Sequence, residues 1–291
     1  MPTVDRRGTR RLDLAGRVCL VTGAAQGIGL ESVRAFAARG AAVALLDQDG
    51  DRLRGCPAML PEGRAHTIEV DVRDRAGMAA AVGEVVERFG RLDVVVANAG
   101  VTPRVSSLRT MDPADYDRVV GINLTGVFNT VHPSIEHVIA AGGHITLVAS
   151  MAAMLPGPLG SPYMITKAGV EQLGRALRIE LAAHGASAGV SYFGIVATSM
   201  TRSAVDDDPI GSALEQQLPR PLRRRISAQD AATEIVDGVQ ARAARTIAPQ
   251  AWTLLAWLRG VTDHLVDASA SRDRRLRELI VQSEREASAG A

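Results

Sequence analysis

Residues 17–47 read RVCLVTGAAQGIGLESVRAFAARGAAVALLD. The first six are apolar and rich in β-branched side chains, the pattern of a short buried strand. The glycine-rich turn that follows opens a helical pattern. Leu30, Val33, Phe36 and Ala37 share one face of it, and Gly40 closes it. AAVALLD, residues 41–47, is a second buried strand. Strand, helix and strand in this order make a βαβ unit, and hence a parallel sheet. The turn also carries chemistry. Glycines let a backbone close on a pyrophosphate, and a helix N-terminus offers amide donors and the positive end of a dipole. Gly23, Gln26, Gly27, Ile28 and Gly29 are therefore candidates for holding a dinucleotide. Their spacing, G-x-x-x-G-x-G, departs from the G-x-G-x-x-G fingerprint, so the turn needs support from elsewhere in the chain.

The alternation continues outward. HTIEVDV (66–72) is a third strand, and residues 74–89 carry Met78, Val82, Val85 and Phe89 at helical spacing. LDVVVANAG (92–100) is a fourth strand running into a turn. Asp112-Pro113 opens a helix reaching about residue 140, with kinks or a break expected at Gly121, Gly126 and Pro133. HITLVAS (144–150) is strand five, 161–184 a long helix, GASAGVSYFGIV strand six, and RTIAP a last edge strand. The fold class is α/β: one doubly wound domain over residues 14–250, with helices on both faces of the sheet. Residues 1–13 read as a disordered basic arm, followed by a turn at Ala15-Gly16. Residues 199–226 mix charges, small residues and prolines after strand six and read as a substrate lid. Arg223 to Arg225 within it read as a solvated face. Ser227 to Asp230 resembles a capping box for a helix through about 242. Residues 251–291 form a helical extension. Its stripe of Leu254, Leu258, Val261 and Leu265, with Trp252 and Trp257 alongside, suits packing on the domain or a subunit interface better than a lipid surface. The stripe is short, and the segment after it carries acids as well as bases.

Composition bounds the function. The chain has 291 residues, 46% hydrophobic and 3% aromatic, with a net charge of +1. That supports one large core and gives no sign of a nucleic-acid partner. Two cysteines, Cys19 and Cys56, do not make a disulfide framework, which points to a reducing, cytoplasmic setting. The basic N-terminus has no apolar segment behind it, and no run of eighteen apolar residues occurs, so neither a signal peptide nor a transmembrane segment is expected. Six scattered histidines show no zinc-like spacing, and no metal site is expected.

The chemistry concentrates in SMAAMLPGPLGSPYMITK, residues 150–167. Tyr163 and Lys167 are four apart, one turn on a helix. A fixed ammonium there should pull the phenol down from its ordinary value of about 10 toward a useful range. Ser150 follows a buried strand, at the carboxyl end where open α/β sheets bind ligands. A hydroxyl, a phenol and a lysine around one pocket suit proton transfer to or from an alcohol oxygen. Asp47 ends strand two, eighteen residues past Gly29. A carboxylate there accepts ribose hydroxyls and repels a 2′-phosphate, and neither Gln48 nor Gln26 supplies a cation, so NAD is expected over NADP. Asp71 and Val72 end strand three, where an adenine would lie. Asn98, Ala99 and Gly100 end strand four, on the nicotinamide side. Asn123 is placed to kink its helix or hold a water.

Together these residues resemble the short-chain dehydrogenase/reductase family in its standard form, over about residues 14–250. TGAAQGIG is similar to the family's TGxxxGIG loop, and ANAG to its NNAG turn with Ala97 in place of the first asparagine. Asn123, Ser150, Tyr163 and Lys167 match the catalytic tetrad in order. The resemblance implies a seven-stranded, mostly parallel Rossmann sheet ordered 3-2-1-4-5-6-7. It also implies dimers or tetramers through the helices flanking strand five. Tyr163 would be the acid or base, Ser150 would hold the substrate oxygen, Lys167 would bind the nicotinamide ribose, and Asn123 would anchor a relaying water. The usual PGxVxT run after strand six becomes Phe193-Gly194-Ile195-Val196-Ala197-Thr198. By resemblance Gly194, Val196 and Thr198 border the carboxamide, and Phe193 in place of proline shifts that wall. Ala149 stands where many relatives have a second serine. The expected activity is NAD-dependent interconversion of a secondary alcohol and a ketone. Met151, Met154, Leu155 and Leu159 suggest an apolar substrate of moderate size. A 3-oxoacyl reductase using NADPH, and a non-catalytic nucleotide sensor, are the alternatives.

Overall fold

The computed structural model describes residues 11–289, apart from the side chains of Met59, Val261 and Ala289. Among these residues the strands are β1 Val18–Thr22, β2 Ala42–Asp47, β3 Ala65–Glu69, β4 Val94–Ala97, β5 His144–Val148, β6 Ser187–Phe193, β7 Val196–Ala197, β8 Ile226–Ser227 and β9 Arg245–Ala248. The α-helices are α1 Gly27–Ala38, α2 Gly50–Gly55, α3 Arg75–Phe89, α4 Pro113–Val120, α5 Gly126–Val131, α6 Ile135–Ala140, α7 Ser161–Ala182, α8 Ser199–Thr201, α9 Pro209–Glu215, α10 Ala228–Ala241, α11 Thr253–Arg272 and α12 Arg274–Ala289. Seven strands form one sheet in the order β3-β2-β1-β4-β5-β6-β9. All six pairings are parallel. The remaining two, β7 and β8, pair with each other and bracket residues 198–225.

Both faces of the sheet are covered, so its strands alternate between two apolar clusters rather than between core and water. Val18, Leu20, Ala44, Leu46, Val95 and Ala97 face one cluster, which α3, α5 and α7 complete. Cys19, Val21, Val43, Leu45, Val94 and Val96 face the other, completed by α1 and α10. Asp93, fully buried beside β4, receives Arg17, Arg91 and the Val18 amide and so pins the start of β1. Burial raises its carboxyl, but those hydrogen bonds outweigh it and hold the group below its ordinary range.

Two expectations change and one holds. Residues 1–10 of the basic arm lie outside the described residues, but Leu12 is buried and its amide donates 2.8 Å to the Gln240 carbonyl of α10. An apolar residue at the sheet's flank gains more by burial than a free arm gains in entropy. The helix opened by Asp112-Pro113 is broken as anticipated, by a π-turn at Gly121–Thr125 and a 3-10 turn at His132–Ser134. The stripe on α11 does not pack on the domain. Leu254, Trp257, Leu258 and Leu265 are exposed, while Trp252 and Ala256 turn inward. Val261 is among the side chains not described.

Candidate active site

The carboxyl ends of β1, β2, β4, β5 and β6 surround a cleft of about 250 Å³. Its floor is the turn between β1 and α1. Gly23 has φ +65° there, and a Cβ on it would lie 2.9 Å from the Ala99 Cα. A Cβ on Gly29 would overlap the Gly23 carbonyl, so Gly29 lets helix and turn close up rather than lining the cleft. Asn98 stitches this turn to the end of β4: its Nδ2 donates 2.9 Å to the Thr22 carbonyl, and its backbone amide donates 3.1 Å to Thr22 Oγ1. Gly27, Ile28, Ala99 and Gly100 line the cleft around them.

The donors suit an anion. Asp74, Asp112, Asp208 and Ser227 cap α3, α4, α9 and α10 through their side chains. Gln26, at the same position before α1, makes no such bond. The first-turn amides of α1 thus meet the cleft without a side-chain acceptor, which fits a pyrophosphate. Asp47 borders the cleft, its carboxylate accepting the amides of Ala25 and Asp49. Asp71 and Val72 lie nearby. Asp71 is held below its ordinary value, chiefly by the Arg73 side chain.

At the other end stand Ser150, Tyr163 and Lys167. Ser150 Oγ donates 3.2 Å to the Phe193 carbonyl and accepts the Ala152 amide. Lys167, almost fully buried, donates 2.9 Å from Nζ to the Val148 carbonyl and lies 5.5 Å from the centre of the Tyr163 ring. The expected acidified phenol is not what this arrangement produces. Burial pushes Tyr163 up, and a bond to Ser150 only partly offsets it. Burial also pushes Lys167 down to about 8. The four-residue spacing sets an ammonium beside a phenol, but in the fold each group loses water, which favours its neutral form.

Asn123 sits behind the cleft, fully buried in the π-turn. Its Nδ2 donates to the Val101 carbonyl (2.9 Å) and its Oδ1 accepts the Val101 amide (2.8 Å), so its side chain ties down the loop after β4 instead of offering a free amide to water. Gly194, Val196 and Thr198 line the far wall. Thr198 Oγ1 caps α8, and the Val196 carbonyl accepts the Thr201 hydroxyl. The Phe193 ring joins the core on the α10 side, leaving its carbonyl toward Ser150. Met151, Met154 and Leu159 are buried, and none of them nor Leu155 lines the cleft. Its apolar surface comes from other residues, among them Val101, Ile122 and Met200. Arg225 pairs with Asp206 and Glu215, and Arg223 donates to the Leu218 carbonyl.

Arg52 was not singled out from the sequence. It reaches back from α2 to bond Gln26 Oε1 at 2.7 Å, and the same oxygen accepts Ser199 Oγ at 3.1 Å. Twenty-six residues separate the two side chains in the chain, and only the fold brings them together.

Residues 17–209 match the family model described as short chain dehydrogenase. The chain belongs to this family. Oxidoreductase UcpA of Escherichia coli (strain K12) is 34% identical over 218 residues, covering 72% of this chain and 82% of UcpA. Cis-4-hydroxycyclohexanecarboxylate dehydrogenase of Sinomonas cyclohexanicum is 34% identical over 240 residues, covering 78% and 95%. Among solved structures, levodione reductase superposes with a TM-score of 0.74 at 28% identity, over 80% of this chain and 96% of that one. A 3-ketoacyl-(acyl-carrier-protein) reductase from Brucella melitensis complexed with NADH does so at 0.71 and 26%, over 82% and 99%. This short-chain dehydrogenase is thus an oxidoreductase. Among its described residues no helix is long and apolar enough to cross a membrane, and no group of side chains is placed to hold a metal ion.

Proposed function

We propose that this oxidoreductase interconverts a secondary alcohol and a ketone with NAD. The observation that carries the reading is the cleft itself: a serine, a tyrosine and a lysine at one end, an uncapped helix N-terminus and Asp47 at the other. The turn Gly23–Gly29 would take the pyrophosphate and Asp47 the adenosine ribose. Asp71 and Val72 would flank the adenine. Asn98 to Gly100, Gly194, Val196 and Thr198 would border the nicotinamide. Once bound, the nicotinamide supplies the hydride acceptor or donor. Ser150 would turn its hydroxyl from the Phe193 carbonyl to the substrate oxygen. Tyr163, protonated at neutral pH by its burial, is set to give its proton to a ketone oxygen, and to accept one in the reverse direction as pH rises. Lys167 would hold the nicotinamide ribose. Residues 199–226 are read as a lid, since Ser199, Met200 and Thr201 already border the cleft. A cytoplasmic homodimer or homotetramer is part of the reading; exposed Ile165 and Ile179 on α7 support an interface there.

Tyr163→Phe tests the assignment. The expected loss in kcat is about 10²–10⁴-fold with NADH affinity retained, because only the proton is removed. Turnover within a few-fold of wild type across alcohols and ketones would reject it. A 3-oxoacyl reductase preferring NADPH is the second reading. Arg52 favours it, as a cation beside Gln26 that would meet a 2′-phosphate on leaving Asp49, with which it pairs at 3.2 Å.

A further inference from the structure

The residues after 209 lie outside the family match, yet they contact several segments adjoining Ser150, Tyr163 and Lys167. Trp252 is buried directly beneath Gly194, where a Cβ would overlap its indole nitrogen. Helix α11 packs on the Met151–Met154 turn that follows Ser150. From the same helix Arg259 donates 2.8 Å to Glu171, one helical turn beyond Lys167 on α7. Helix α12 then crosses α9 of the lid. Its inward face comprises Leu276, Leu279, Ile280, Ser283 and Glu284, the spacing of one helical stripe. Glu284 closes the contact: Oε1 accepts Ser107 Oγ and Oε2 accepts Arg109 Nη1, both at 2.8 Å.

That contact reaches the chemistry in two further steps. The Ser106 amide donates 3.0 Å to the Leu159 carbonyl. Leu159 is buried with φ +67°, a left-handed conformation unfavourable for a leucine, and it lies four residues before Tyr163. Such a residue persists only where its surroundings over-determine it. The loop that Glu284 holds is the one that holds Leu159.

We propose that the C-terminal extension is a clamp on the substrate entrance, and that Glu284 is the positioning residue that sets the size of alcohol admitted. With the contact made, α12, the lid helix and the loop after β4 act as one wall. With it broken, the wall opens toward bulkier substrates, and small ones lose the surface that orients them before Tyr163.

The activity readout rests on the function proposed above, so the test has two arms. Oxidation of cyclohexanol and of 4-tert-butylcyclohexanol is measured with NAD for wild type, Glu284→Ala and Glu284→Gln. Glu284→Ala should shift the kcat/KM ratio at least about tenfold toward the bulky alcohol, chiefly through KM. Glu284→Gln, which keeps an acceptor for Ser107, should return the ratio to within about threefold of wild type, and NADH affinity should stay within about twofold throughout. An unchanged ratio, or equal losses on both alcohols, overturns the clamp. If wild type oxidises neither alcohol, the proposed function fails on these probes and the clamp is read by amide hydrogen exchange. Exchange over 104–110 and 157–160 about tenfold faster in Glu284→Ala than in Glu284→Gln supports it, and equal rates overturn it.

Discussion

His144 shows what burial does to a single side chain. It sits at the start of β5 with Nδ1 2.8 Å from Ser187 Oγ, and burial, then Arg242 and Arg178, lower it to about 3. Unfolded, the imidazole takes a proton below about 6.5. Between those values the unfolded chain binds more protons than the folded one, so stability is fully present above the upper value and falls as pH drops through the window. The slope attributable to this residue is roughly 1 kcal/mol per pH unit. Urea denaturation of wild type and His144→Asn at pH 7 and pH 5 checks it: the wild type should lose more stability between the two, and parallel losses would contradict it. Nothing in HITLVAS announced this, because the two arginines come from α7 and the end of α10. The same limit applies to Tyr163 and Lys167. Their spacing correctly placed them at one site, but the direction of each shift depends on the water each loses. TGAAQGIG was legible because its glycines answer to backbone geometry that is local in the chain.

At the scale of elements, the helix starts and the broken helix after Asp112-Pro113 were readable, since caps, prolines and glycines act within a turn or two of themselves. The orientation of α11 was not. Its apolar stripe promised burial, but the face that docks is the one carrying Trp252, Ala256 and Arg259. What decides the choice is Glu171, a buried carboxylate on α7 with one oxygen on Arg259 and the other without a hydrogen bond. Removing the arginine leaves that charge only Arg175, whose Nη1 lies 3.9 Å from the other oxygen. Arg259→Ala should cost about 1–3 kcal/mol in chemical denaturation, whereas replacing both partners by apolar residues of similar volume should cost far less. Equal destabilisation by the single and the double change would show that the pair merely fills space.

The whole molecule follows from alternation. Strands with apolar residues on both faces require cover on both, helices supply it between strands, and right-handed crossovers then leave only a handful of pairing orders. That order and the carboxyl-end cleft were both legible, the first through the family resemblance and the second from strand polarity. The route by which residues 251–289 return toward the Ser150 end of the cleft was not, because no local pattern specifies which surface a distant helix meets. The central claim is that the cleft binds NAD through Asp47. It is tested most directly by fluorescence titration of NADH and NADPH against wild type and Asp47→Ala. Tight NADH binding with NADPH at least about tenfold weaker, and loss of that preference in the variant, is the expected result. Equal affinities, or a preference for NADPH in the wild type, would contradict it and give Arg52 the ribose end instead.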